Sequence, residues 1–211
     1  MTLSRHPIPV DFTLSTGLIF DCDGTLADTM PLHYLAWRST LLRQGIEFDE
    51  DYFYSLAGQP TIQIVRILLA ENRVDGDAIA IAHEKELAFL AMLDDVQPIE
   101  PVVEIARRHR ATHRMGVGSG SNRAVVFQIL EKIGLPDFFD AVVGSEDTAR
   151  HKPEPDVFLE VARRINAPAS QCCVFEDADL GVEAAHRAGM TCFDVRTIFT
   201  PRRISQTAPG Q

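Results

Sequence analysis

Gly17-Leu18-Ile19-Phe20-Asp21-Cys22-Asp23-Gly24-Thr25-Leu26 decides the reading of the chain. A short apolar run, suited to a buried strand, stops on two acids separated by one residue. Gly24 and Thr25 then make a sharp exit turn. Residues two apart on a strand point to the same side, so Asp21 and Asp23 share a face. One carboxylate there can attack phosphorus, while the other protonates the leaving oxygen and later deprotonates water. Taken alone, the same stretch is equally a strand that ends in an acidic turn.

Further along, apolar runs at 115–118, 141–143, 172–175 and 191–195 read as buried strands like the one at 18–20. Amphipathic helical stretches separate the later ones. Ser121 is expected to cap a helix running to Ile133, with Gly134 as its stop. Pro153 is expected at the first position of a helix reaching Ile165, and another helix opens at Asp177 or Ala178 and ends before Gly189. Strands alternating with helices predict an α/β fold: a Rossmann-like parallel sheet covered on both faces. One interval breaks the rhythm. Between Leu26 and Pro98 the spacing predicts helices at 31–44, 60–71 and 77–93 and no strand. That length and content describe a small helical cap inserted after the first strand. The expected division is 12–27 plus 97–211 for the core and 28–96 for the cap, with 1–11 as a short extension. The cap would sit over the carboxyl edge of the sheet, where open α/β sheets bind ligands.

The 211 residues suffice for one domain carrying an insert, and 45% hydrophobic with 24% charged is ordinary for a globular chain. A net charge of −10 argues against a nucleic-acid partner, which needs a basic face. No apolar run is long enough to cross a bilayer and no signal-peptide layout opens the chain, so no membrane partner is expected and the expected location is the cytoplasm. Cys22, Cys172, Cys173 and Cys192 form no Cys-x-x-Cys pair and read as small buried hydrophobes in a reducing compartment. Nothing in the sequence fixes the oligomeric state, and a monomer is compatible with it.

Three later strand ends carry chemistry of the same kind. In Gly118-Ser119-Gly120-Ser121, the Ser119 hydroxyl and the backbone N–H groups around Gly120 can hold phosphate oxygens, although a Gly/Ser turn with a helix cap looks the same. In His151-Lys152-Pro153, an ammonium held beside the helix would neutralise both phosphate and nucleophile; the plain alternative is a solvated lysine. Glu176-Asp177 puts acids at a fourth strand end. With Asp21 and the Asp23 backbone carbonyl, Asp177 would complete an oxygen set for Mg²⁺, and Glu176 would be a direct or water-mediated partner. Each signal is weak singly; their order along one sheet is what gives them weight.

On these residues the chain resembles the haloacid dehalogenase superfamily of phosphotransferases. The resemblance spans 16–196 and rests on Asp21-Cys22-Asp23-Gly24-Thr25, Ser119, Lys152-Pro153 and Glu176-Asp177. Within that family it looks like the β-phosphoglucomutase branch, and most like the bacterial fructose-1-phosphate and 6-phosphogluconate phosphatases. The resemblance implies Mg²⁺ dependence, an aspartyl-phosphate intermediate, a moving cap, and phosphate-binding roles for Thr25, Ser119, Gly120 and Lys152. It also matches His33 to a cap-hinge histidine and Lys85 to a cap lysine that contacts substrate, although Lys85 reads equally as a solvated helix residue. In Gly58-Gln59-Pro60-Thr61, Thr61 stands where the mutase has an arginine that grips a second phosphate. A hydroxyl cannot supply that charged, bidentate grip. The expectation is therefore hydrolysis of a small phosphorylated sugar. A hexose-phosphate mutase and a catalytically inactive binding module are the rivals.

Overall fold

β1 (Gly17–Phe20) lies at the centre of a five-stranded sheet in the computed structural model, which describes residues 14–204. β2 (Arg114–Gly118) and β4 (Cys172–Glu176) flank it, with β3 (Ala141–Val143) and β5 (Thr191–Asp194) at the edges. Every pairing is parallel, and Phe20 lies level with Val117 on one side and Phe175 on the other. The residues after Phe20, Gly118 and Phe175 therefore meet along one edge. The chain leaves β1 toward β2 and later returns past it to β4, so β1 is the topological switch point, where ligands bind in such sheets.

Both faces of β1 are sealed. Leu18 and Phe20 pack against α5 (Glu100–His109) and α6 (Arg123–Lys132). Ile19 packs with α7 (Asp156–Arg164) and α8 (Asp179–Arg187). This alternation explains why Gly17–Phe20 is continuously apolar. The Phe20 and Phe175 rings stack at 4.6 Å across the two central strands.

The insert folds as α1 (Met30–Arg43), α2 (Glu50–Ser55), α3 (Thr61–Asn72) and α4 (Ala78–Leu90), with its own core of Trp37, Leu41, Phe48, Phe53, Ile64 and Leu68. Asp28 N–H donates to the Gln97 carbonyl at 2.9 Å where the two crossings between cap and sheet run side by side. No helix among the described residues is long and apolar enough to cross a membrane. Cys22, Cys172 and Cys173 are buried and Cys192 half-buried, all as free thiols. The extension at 1–11, the first two core residues and the core's 205–211 lie outside the described residues.

Four local expectations change. The helix after β2 is capped by Asn122, whose side chain accepts Ala124 N–H at 3.0 Å, and not by Ser121. Pro153 precedes α7 instead of opening it; the helix begins at Asp156 with Pro155 as its N-cap residue. α2 and α5 were not foreseen, although α5 buries Val102, Val103, Ile105 and Ala106 on one helical face.

Candidate active site

Asp21 follows β1 directly, and its Oδ1 lies 2.7 Å from Lys152 Nζ. The same ammonium reaches Glu176 Oε1 at 2.5 Å. All three side chains are buried, so the lysine bridges two carboxylates in a medium that strengthens each attraction. Burial opposes the Lys152 charge, but Asp21 and Glu176 more than offset it and hold its pKa above the ordinary lysine value. Asp21 is pushed up to about 7 by burial, which Lys152 moderates and Glu176 and Asp23 reinforce. Asp177 is raised too, by burial and then by Glu176 and Asp21.

Glu176 occupies its place because Gly181 has no side chain: a Cβ there would lie 1.8 Å from Glu176 Oε1. Its other oxygen accepts the Ala178 N–H at 2.6 Å. Glu176 thus spends one oxygen on Lys152 and the other on the backbone opening α8. Gly24 is required in the same way. It has φ +83°, and a Cβ there would lie 2.2 Å from Asp177 Oδ2. Thr25 does not line the cavity at this edge; fully buried, it donates to Asp177 Oδ1 at 2.9 Å. Its hydroxyl thus holds the neighbouring acid in place.

Asp23 sits in the opposite environment. Burial would raise its pKa, but His33 and the Ser121 and Thr29 hydroxyls win and hold it well below the usual carboxylate range. Thr29 donates to Oδ1 at 2.7 Å, Ser121 to Oδ2 at 2.7 Å, and Ser119 to Oδ2 at a longer 3.4 Å. His33 Nε2 lies 2.9 Å from Oδ1, and its Nδ1 lies 2.9 Å from Lys85 Nζ. An ammonium only donates, so Nδ1 accepts and the ring proton sits on Nε2, donated to Asp23. Burial and the Lys85 charge keep His33 below its ordinary pKa, and it stacks on Phe89 at 3.8 Å between ring centroids. Lys85 is 3% exposed and so is not a solvated helix residue. Its Nζ lies 5.2 Å from the Trp37 ring centroid.

These groups face a cavity between cap and sheet. Asp21, Asp23, Ser119 and Gly120 line its floor, and His33, Thr61 and Lys85 its roof. Asp21, Glu176 and Asp177 bring carboxylate oxygens within 4.8 Å of one another, while the Asp23 carboxylate stays outside that group. Three acids, one lysine and two raised pKa values describe a site short of positive charge. An all-oxygen set of this kind fits a hard divalent cation. Reading the sequence missed Thr29, Ser121 and Glu86, the last accepting a hydrogen bond from Thr61. Ser121 reads as the helix cap itself, and Thr29 lies in the short link before the helix expected at 31, which hid their reach to Asp23.

Residues 18–195 match the family model described as haloacid dehalogenase-like hydrolase. The chain belongs to the haloacid dehalogenase-like hydrolases. It is 43% identical over 183 residues to the fructose-1-phosphate phosphatase YqaB of Escherichia coli K12, covering 86% of this chain and 97% of that protein. It is 29% identical to the β-phosphoglucomutase of Bacillus subtilis 168, over 82% of this chain and 80% of that one. Among solved structures, β-phosphoglucomutase of Clostridium difficile superposes with a TM-score of 0.79 at 24% identity, over 84% of this chain and 83% of that one. That last likeness speaks for the fold alone. As a haloacid dehalogenase-like hydrolase with such a relative, the chain is a phosphoric monoester hydrolase, and the inactive-module reading is left without support.

Proposed function

We propose that this hydrolase removes phosphate from small phosphorylated sugars in the cytoplasm, with Asp21 as nucleophile and Asp23 as acid and base. The observation that carries this reading is geometric: two carboxylates at one strand end face one cavity with different partners. Asp21 lies 2.7 Å from the Lys152 ammonium, which offsets charge at an attacking carboxylate. Asp23 is held by the Thr29 and Ser121 hydroxyls and by His33, a set that can orient it and pass protons to and from it. Fructose 1-phosphate and 6-phosphogluconate are the esters suggested by the resemblance, and the Escherichia coli relative acts on the first.

Asp21 attacks phosphorus and becomes an aspartyl-phosphate while the sugar oxygen takes a proton from the side of Asp23. Lys152, 2.7 Å from Asp21, offsets the charge of nucleophile and phosphate as they approach. The Ser119 hydroxyl and the backbone at Gly120 hold the oxygens of the transferring group. Asp23 then takes a proton from water, which opens the aspartyl-phosphate. The donors that keep Asp23 ionised suit this second half. In the first half its proton can be supplied through His33 Nε2, with Lys85 replacing it at Nδ1; burial already lowers the pKa of Lys85. Mg²⁺ held by Asp21, Asp177, the Asp23 carbonyl and, directly or through water, Glu176 would keep Asp21 ionised and draw charge from the phosphate. The cap covers the site and excludes bulk water.

A phosphate-release screen across sugar monophosphates, with Mg²⁺ and with a chelator, tests the reading. Turnover should need the metal. Asp21→Asn should drop phosphate release to background while the circular dichroism spectrum is kept, and wild-type release from that variant would sink the assignment. Thr61 at the roof favours hydrolysis over phosphate return to the sugar. Rearranged sugar phosphate without free phosphate in a ³¹P NMR time course would favour the mutase instead.

A further inference from the structure

Glu86 stands beside the roof of the cavity, on α4, and takes no part in the mechanism above. Its Oε1 accepts the Thr61 hydroxyl and lies 3.5 Å from Lys85 Nζ, and the side chain is 23% exposed. Burial would raise its pKa, but Lys85, His33 and Thr61 prevail, so it is ionised. Thr61 and Lys85 both line the cavity, and Lys85 is the single ammonium or guanidinium among the described residues that do. Its charge is already matched by Glu86. Behind the floor, Lys152 is matched by Asp21 and Glu176. The roof thus offers a hydroxyl, a compensated cation and the apolar surfaces of Trp37, Phe53 and Ile64. That surface suits the hydroxylated, uncharged end of a sugar. A second phosphate or a carboxylate there would meet Glu86 with no unspent cation to balance it, a repulsion that a partly buried site screens poorly.

We propose that Glu86 is a specificity-determining residue which, through Thr61 and Lys85, turns away esters with a second anionic group, so that the preferred substrates are sugar monophosphates with an uncharged far end. The proposal rests on the sugar-phosphatase reading and divides the two esters named there: fructose 1-phosphate is favoured over 6-phosphogluconate.

A matched pair tests it. Glucitol 6-phosphate and 6-phosphogluconate differ only in a CH₂OH against a carboxylate at the far carbon. The readout is the ratio of their kcat/KM values with Mg²⁺, in the wild type and in Glu86→Gln. A ratio cancels any shared loss of folded protein. The wild type should favour glucitol 6-phosphate, and Glu86→Gln should lower that preference about tenfold, chiefly through the KM of the carboxylate ester, as removal of one like charge at short range allows. A ratio that stays the same in the variant, or a wild type that prefers 6-phosphogluconate, overturns the proposal alone. If the wild type opens p-nitrophenyl phosphate but neither sugar ester, the sugar reading falls and this inference with it.

Discussion

Ser121 gives its hydroxyl to Asp23 at 2.7 Å, and Asn122 caps the helix behind it. The two jobs predict different losses. A helix cap removed by Ser→Ala costs about 1 kcal/mol of stability and leaves chemistry alone. A donor to a buried carboxylate acts on that carboxylate: without it, Asp23 loses one of the bonds that hold it ionised and in place. Ser121→Ala should therefore lower kcat about tenfold with KM little changed, and the lost donor to an ionised carboxylate should also cost about 1–3 kcal/mol of unfolding free energy. Steady-state kinetics beside denaturant unfolding check both. A full cap-sized loss of stability with kcat intact would return Ser121 to the role its sequence context suggests. The acids were legible because each follows an apolar run. Their partners were not: Lys85 reaches His33 across 52 positions, and Thr61 reaches Glu86 across 25. No local pattern announces such pairings, which exist only once the cap helices pack.

Elements carry the next level, and one place where cap meets core is between two loops. The loop before α3 brings the Gly58 carbonyl over the loop after β2, where a Cβ on Gly120 would lie 2.6 Å from that oxygen. Gly58 has φ +90°, a conformation few side chains tolerate, so backbone meets backbone. Gly120→Ala should hold the cap off the sheet. The expected outcome is a several-fold rise in KM and a fall in kcat, with the melting temperature within about 2 °C of wild type, because neither hydrophobic core is touched. Unchanged kinetics would mean that the loops do not govern closure. The five strands were readable since each is a compact apolar run, and the three long cap helices since their periodicity is sustained. α2 is only six residues long, too short for a period to show. α5 begins at Glu100 with Pro101 behind it, and that proline-flanked start resembles the tail of the preceding insert.

Over the whole molecule, part of the acidic balance is buried at one edge of the sheet, where Asp21, Glu176 and Asp177 crowd together. Asp21 and Asp177 are carboxyls whose folded pKa lies above the ordinary value near 4, first through burial and then through neighbouring acids. Such groups bind protons more tightly folded than unfolded. Their contribution to stability is full below the unfolded pKa and is lost as pH rises through the folded one, which for Asp21 is about 7. A divalent cation takes the ionised forms only and binds the folded state, so it should restore what the protons had supplied. The metal-free protein should thus lose melting temperature between about pH 6 and about pH 8, and saturating Mg²⁺ should raise the melting temperature more at the higher pH. Asp177→Asn should shrink the Mg²⁺ increment at both values, since it removes a ligand and one of the repelling charges together. Thermal melts with and without chelator at the two pH values measure this directly. An increment larger at the acid end would show that the cation binds elsewhere than among Asp21, Glu176 and Asp177.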